Sequence, residues 1–176
     1  MEMCKKSISR KMFDFLLDHV TEVEREKNSL IKEYYSENVE ESMDVEGFFK
    51  EYTSTIGSFL NTVKVGTGND NDCPFVIIGS IVEVQDIDET ETYQYRIVLP
   101  YSNKADMCID CASCLSPLGK ALLLKSVTQQ VNIQIPTGTL HYIIKKATVP
   151  EQLISKYNKE QKINDNKRSI NMGLSI

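Results

Sequence analysis

The sequence predicts an α+β fold: an amino-terminal antiparallel coiled-coil helical hairpin followed by a small antiparallel β-sheet domain with one short helix. Three observations predict it. Apolar residues recur at three- and four-residue steps as far as Val63, the spacing of a helical seam. A stretch rich in glycine, asparagine and aspartate follows, from Val65 to Cys73, and reads as a break between domains. Beyond it the apolar pattern changes to short β-branched and aromatic runs bounded by turn residues.

The first helical run places Phe13, Leu16, Val20, Val23, Lys27, Leu30 and Tyr34 on one seam, with Lys27 as its single polar position. Asp18, Glu22, Glu24, Arg25, Glu26 and Lys32 fill the other faces. The second run repeats the spacing with Val45, Phe49, Tyr52, Ile56, Phe59 and Val63. No proline precedes Pro74, so nothing in the sequence forces a break inside either run. The polar link from Ser36 to Ser42 makes the two runs an antiparallel pair. With a start near Ser7 and an end near Lys64, the fold-back falls near Tyr35 and Ser36. Each arm is then roughly 40 Å long at ~1.5 Å per residue.

In the second part, Phe75–Val84 and Thr92–Leu99 read as a strand hairpin around Asp86–Thr90. Met107–Ser113 is a further candidate strand. Ser116 and Pro117 open a short helix, as N-cap and first helical residue, that runs through Leu124. Val131–Ile135 and Thr139–Lys146 form two strands around Pro136-Thr-Gly138. After Val149 the chain turns polar and lysine-rich, predicting a loose helix over Pro150–Lys159 and disorder beyond. The expected organisation is a hairpin over residues 1–65, a linker over 66–74, a sheet domain over 75–148 and a polar tail over 149–176.

Composition excludes several functions. The chain has 176 residues, 20 basic against 25 acidic, for a net charge of −5. A wholly basic nucleic-acid binder is thereby excluded. No apolar run reaches the ~18–20 residues needed to span a bilayer, so no membrane association is expected. Asp14 and Asp18 interrupt the apolar patch near the amino end, against a secretory signal. Five cysteines, an odd number, fit free thiols in a reducing compartment. The expected localisation is cytoplasmic.

Carboxylates crowd the predicted fold-back: Glu33, Glu37, Glu40, Glu41, Asp44 and Glu46, with Lys32 the nearby cation. Acidic residues near a helix start are favoured by its dipole. Carried on a long rigid arm, the same oxygens could help hold a hard cation or orient a water. Glu33 and Glu37 share a face if the first helix continues that far. Cys108, Cys111 and Cys114 have the spacing of part of a metal site, but a fourth ligand is not obvious, and cysteine packs well as a small hydrophobe. His19 and His141 are isolated in the sequence. Gly66-Thr-Gly68 lacks the Gly-Lys-Ser/Thr of a phosphate loop. Arg25, Lys27 and Lys32, with Tyr34 and Tyr35, leave open an RNA-facing patch on the hairpin. Basic clusters at Lys5, Lys6, Arg10 and Lys11 and along the tail read as solvated faces.

The run Ser116-Pro-Leu-Gly-Lys-Ala-Leu-Leu-Leu-Lys125, followed by Val131 to Ile144, resembles the carboxyl domain of the GreA/GreB transcript-cleavage factors. Ile78–Val84 and Tyr95–Val98 are similar to the same family's opening strands, so the resemblance covers about residues 75–147. It implies an FKBP-like domain that docks on bacterial RNA polymerase at its secondary channel, while the hairpin reaches toward the active site. There, acidic tip residues would help the polymerase's own Mg²⁺ cleave the 3′ end of backtracked RNA. The factor needs no cofactor of its own and holds no metal. RNA and DNA are met only within the polymerase complex, and a monomer is expected.

Ser36-Glu-Asn-Val-Glu40 is similar to the family's tip segment, which puts the catalytic glutamate at Glu37, beside Asn38. The family's tip aspartate falls on Tyr34, which cannot ligate a cation in the same way. A one-residue slip in register would let Glu33 substitute. Ser116 and Pro117 match the Ser-Pro that contacts polymerase, with Leu115 where some members have an acidic residue. Two other readings remain: a non-cleaving channel occupant that modulates or inhibits polymerase, and an unrelated coiled-coil adaptor. A prolyl isomerase has the least support, because the sequence shows no aromatic-lined pocket.

Overall fold

The structure, a computed structural model, describes residues 7–102 and 109–172. The described residues form two compact units that meet in sequence between Asp70 and Asn71.

The first unit is a helical hairpin. Helix α1 (Arg10–Leu30) is capped by the Ser9 hydroxyl, which accepts from the Met12 amide at 3.0 Å. It runs directly into a π-helical turn, Ile31–Tyr35. After a turn at Ser36 and Glu37, helix α2 (Val39–Thr62) starts with Asn38 as its N-cap. At the open end, the Ile8 amide bonds the Lys64 carbonyl and the Gly66 amide bonds the Ile8 carbonyl.

The α2 seam is the expected one from Val45 through Phe59, with Thr53 and Leu60 also buried. The α1 seam is rotated. Met12, Phe15, Leu16, His19, Val23, Lys27 and Leu30 are buried, whereas Phe13 and Val20 are only half-buried. Met12, Leu16, His19 and Val23 repeat with spacing as regular as the expected set, so spacing alone does not separate the two stripes. At the fold-back Tyr35 is 7 % exposed and Tyr34 46 %. The π turn, with its i→i+5 bonding, takes up one extra residue. Tyr35 therefore closes the seam where a regular helix would have used Tyr34.

The second unit is built on five strands: β1 (Ile81–Asp86), β2 (Thr92–Val98), β3 (Asp110–Ser113), β4 (Gln130–Ile135) and β5 (Gly138–Thr148). Their order is β3-β2-β1-β5-β4. The β1–β2, β1–β5 and β4–β5 pairs are antiparallel, but β2 and β3 are parallel, so the sheet is mixed where an antiparallel one was expected. The predicted first strand is also shorter than expected. Phe75–Ile78 is a buried, non-strand segment, joined to the loop before β4 by a bridge between Phe75 and Ser126. Gly79 then turns the chain with φ +91°, a conformation that favours glycine.

Alternation sets the core face: Val82 and Val84 on β1, Ile97 on β2, Val131 and Ile133 on β4, Tyr142 and Ile144 on β5. A bulge opposite Glu83 and Val84 leaves Lys145 and Lys146 both exposed and returns Ala147 to the core. Helix α3 (Pro117–Leu122) buries Leu122 and packs against β3 and β4. A Cβ on Gly119 would lie 1.9 Å from the Ser113 carbonyl oxygen, so only glycine permits this approach. Helix α4 (Glu151–Met172) extends well beyond Lys159, contrary to the disorder expected there. Its first turns anchor it through Ile154 and Tyr157.

Candidate hairpin-tip site

The tip is positioned by two polar layers within the seam. In the layer nearer the tip, the Lys27 ammonium is buried between the helices, 2.8 Å from Glu24 Oε2 and 2.6 Å from Glu46 Oε1. The Thr53 hydroxyl joins Glu24 Oε1 at 2.9 Å. Burial opposes the Lys27 charge, but its hydrogen bonds to Glu24 and Glu46 outweigh that and raise its pKa. The Lys27 hydrogen bond in turn holds Glu24 low, against partial burial. The hairpin patch read as facing RNA therefore loses Lys27, which faces the partner helix.

In the second layer His19, isolated in the sequence, meets Tyr52 across the hairpin, with Nε2 2.8 Å from the hydroxyl. Phe15 stacks on the imidazole at 5.8 Å between ring centroids. Among the described residues, His19 Nδ1 has no hydrogen-bond partner. Burial lowers the His19 pKa from 6.5 to about 4, so the ring is neutral at pH 7. The cross-helix pairs Lys27–Glu46 and His19–Tyr52 are nearly symmetric about Ser36, the pattern of an antiparallel pair folded at that residue.

At the fold-back itself, Glu33 lies on the π turn, Glu37 in the connecting turn, and both are exposed. They do not share a helical face, because the helix ends at Tyr35. Tyr34, at the position where the resemblance would place an aspartate, is exposed. Asn38 Oδ1 accepts from the Glu41 amide at 3.2 Å, so its side chain secures the start of α2. Glu40 and Glu41 occupy the first turn of α2, where the dipole favours them. Among the described residues, no three or more His, Cys, Asp or Glu side chains converge as a metal site. Glu33 and Glu37 are hard oxygen donors able to add ligands to a cation held by another molecule.

In the sheet unit, Ser116 Oγ accepts from the Gly119 amide at 3.0 Å and donates to the Ser113 carbonyl at 2.7 Å. Its hydroxyl is committed to α3, and Pro117 is the exposed member of the pair. Cys111 is exposed and Cys114 buried, with burial pushing the Cys114 thiol up to about 12; Cys108 lies outside the described residues. His141 Nδ1 pairs with Asn132 Oδ1 at 2.9 Å, across β4 and β5. Three tyrosines far apart in sequence, Tyr93, Tyr95 and Tyr142, come together on one face of the sheet.

A capped two-helix hairpin bearing exposed carboxylates at its fold-back, joined in one chain to a small mixed-sheet unit, defines the class. Comparison with known proteins supplies the family. The family profile described as "Transcription elongation factor, GreA/GreB, C-term" matches residues 71–148. A transcription elongation factor GreA of Alkaliphilus oremlandii is 33% identical over 71% of this chain and 79% of its own length. The GreA of Syntrophobacter fumaroxidans is also 33% identical, over 60% of this chain and 64% of its own length, slightly under two thirds. Among solved structures, a prokaryotic elongation factor GreA/GreB from Nitrosomonas europaea is 22% identical, covering 55% of this chain and 78% of that one, with a TM-score of 0.39. On the sequence matches, the chain belongs to the GreA/GreB transcription elongation factor family. Among the described residues, no helix is long and apolar enough to cross a membrane.

Proposed function

We propose that the chain is an accessory factor of bacterial RNA polymerase that enters the secondary channel and stimulates the polymerase's cleavage of backtracked RNA 3′ ends. The observation that carries this reading is Glu37, an exposed carboxylate in the fold-back turn of a hairpin, in a chain belonging to the GreA/GreB family. The Mg²⁺ of the polymerase, when bound, supplies Lewis-acid activation of water and phosphate. Glu37 contributes an anionic oxygen that ligates beside the polymerase's own groups or orients the attacking water. Glu33 is the second donor, taking the role of the acidic residue that Tyr34 replaces. Asn38 holds the turn that presents Glu37, and Pro117 forms the docking contact with Ser116 shaping it. The chain acts as a monomer in the cytoplasm and meets RNA and DNA only within the polymerase complex.

Tyr34 favours a second reading. With one acidic position of the tip replaced by an exposed tyrosine, the chain would occupy the channel and modulate or inhibit polymerase without cleavage. A stalled, backtracked polymerase complex separates the two. Added protein should shorten the RNA from its 3′ end, with Glu37→Ala weakening cleavage most and Glu33→Ala less. Binding without cleavage would establish the modulator instead, and unchanged cleavage in both variants would reject this site. Loss of polymerase co-purification in Pro117→Ala is expected; no co-purification of the unaltered protein would reject polymerase as the partner and leave an adaptor role.

A further inference from the structure

Strands β2 and β5 place three tyrosines on either side of β1, on the face that carries Val82, Val84 and Asp86. In register, Tyr95 lies opposite Val82, Tyr93 opposite Val84, and Tyr142 opposite Asp86. The ring centroids form a near-equilateral triangle, with separations of 6.5, 6.1 and 6.4 Å. The Tyr95 and Tyr142 hydroxyls are 3.3 Å apart. Tyr142 is buried, whereas Tyr93 and Tyr95 keep part of their surface exposed. This is an aromatic floor at the end of the sheet where β1 turns into β2.

The turn beside it is acidic. Glu91 accepts from the Tyr93 hydroxyl at 2.8 Å. The Tyr93 pKa is raised to about 12, first by that hydrogen bond, then by desolvation and by the negative charge of Glu91, Glu89 and Asp86 in the same turn. Asp86 itself braces the turn, accepting from the amides of Asp88 and Glu89 at 2.8 and 3.1 Å. Ile87, in the same turn, is 43 % exposed.

Tyrosine faces accept either a nucleobase or a cation. The carboxylate rim decides between them, because it repels phosphates and attracts cations. A planar guanidinium suits both parts at once, stacking on the rings while its N–H groups reach the carboxylates. We propose that this tyrosine face is a docking surface for an arginine-bearing segment of a protein partner. It lies apart from Ser116 and Pro117 in sequence and does not depend on the transcript-cleavage reading.

The test uses the full chain and an acetylated, amidated Gly-Arg-Gly-Arg-Gly peptide, followed through the tyrosine ring signals by NMR. Saturable shifts of the Tyr93 and Tyr95 rings are expected, weakened by salt and weaker with the lysine analogue. Glu91→Gln, shown folded by circular dichroism, should bind about fivefold less tightly, and Tyr93→Leu about tenfold. Absence of ring shifts at millimolar peptide would overturn the proposal. Equal binding by both folded variants, or preferential binding of an oligouridine at the same rings, would overturn it too.

Discussion

The hairpin and the sheet unit bury polar groups for different purposes. In the sheet unit the buried polar side chains serve local turns. Ser80 donates to the Ile77 carbonyl at 2.7 Å, and Asp86 binds amides two and three residues ahead. Strand register there is already fixed by the backbone ladder and by alternation, since a one-residue slip would turn the core face outward. A pair of helices has no such ladder between them. An apolar stripe tolerates axial sliding, whereas a buried ammonium with a carboxylate on each helix does not, because any other alignment strands a charge. Lys27, between Glu24 and Glu46, thus favours the alignment that sets the fold-back, together with the His19–Tyr52 pair. The hairpin carries in side chains the register information that the sheet carries in its backbone.

Four perturbations probe that contrast. Phe49→Ala empties a fully buried position of the hairpin seam and should cost about 4 kcal/mol. Hydrogen exchange should show the loss in the hairpin amides, and equal loss in the sheet unit would contradict separate cores. Gly119→Ala should cost the sheet unit about 3 kcal/mol, because its methyl meets the Ser113 carbonyl, and should leave hairpin exchange unchanged.

Acidification should act on the hairpin through His19. Unfolded His19 takes up a proton near pH 6.5, the folded residue only near 4, so the unfolded form binds more protons in between. This contribution is complete above pH 6.5 and lost as the pH falls through 4, with a full size of roughly 3 kcal/mol. His19→Phe should flatten this part of the pH profile in denaturant titrations. The smallest change in stability, within about 1 kcal/mol, is expected for Lys27→Met, since Glu24 and Glu46 are partly solvated and Met fills the space. Its signature is register. Spin labels placed on the two helices should report a broadened distance distribution, and an unaltered one would remove Lys27 from this role.

Much of this architecture was legible in the sequence because each element was locally consistent. The Ser116-Pro117 cap, the β4–β5 hairpin, the α2 seam and the fold-back near Ser36 all follow from spacing and capping chemistry. The misses have particular causes. Two equally regular stripes coexist on α1, and which one is buried depends on the partner helix, so His19 reads as isolated in the sequence although it lies on the buried seam. The exchange of Tyr34 for Tyr35 depends on a π turn, which leaves no composition signal and no proline or glycine. The parallel β2–β3 pairing and the tyrosine face depend on contacts between distant segments. At the tip, the carboxylates and the place of Glu37 in the link after Ser36 were readable, but not that Asn38 would be engaged as a cap.

The proposed cleavage role depends most on the negative charge of Glu37 at the fold-back. Its most direct test is the rate of RNA 3′-end cleavage in a backtracked polymerase complex at saturating factor, comparing the unaltered chain with Glu37→Gln. This change keeps the shape of the side chain and removes its charge. A fall of at least about a hundredfold, with binding to polymerase intact, is the expected result. Equal rates for the two proteins would contradict it.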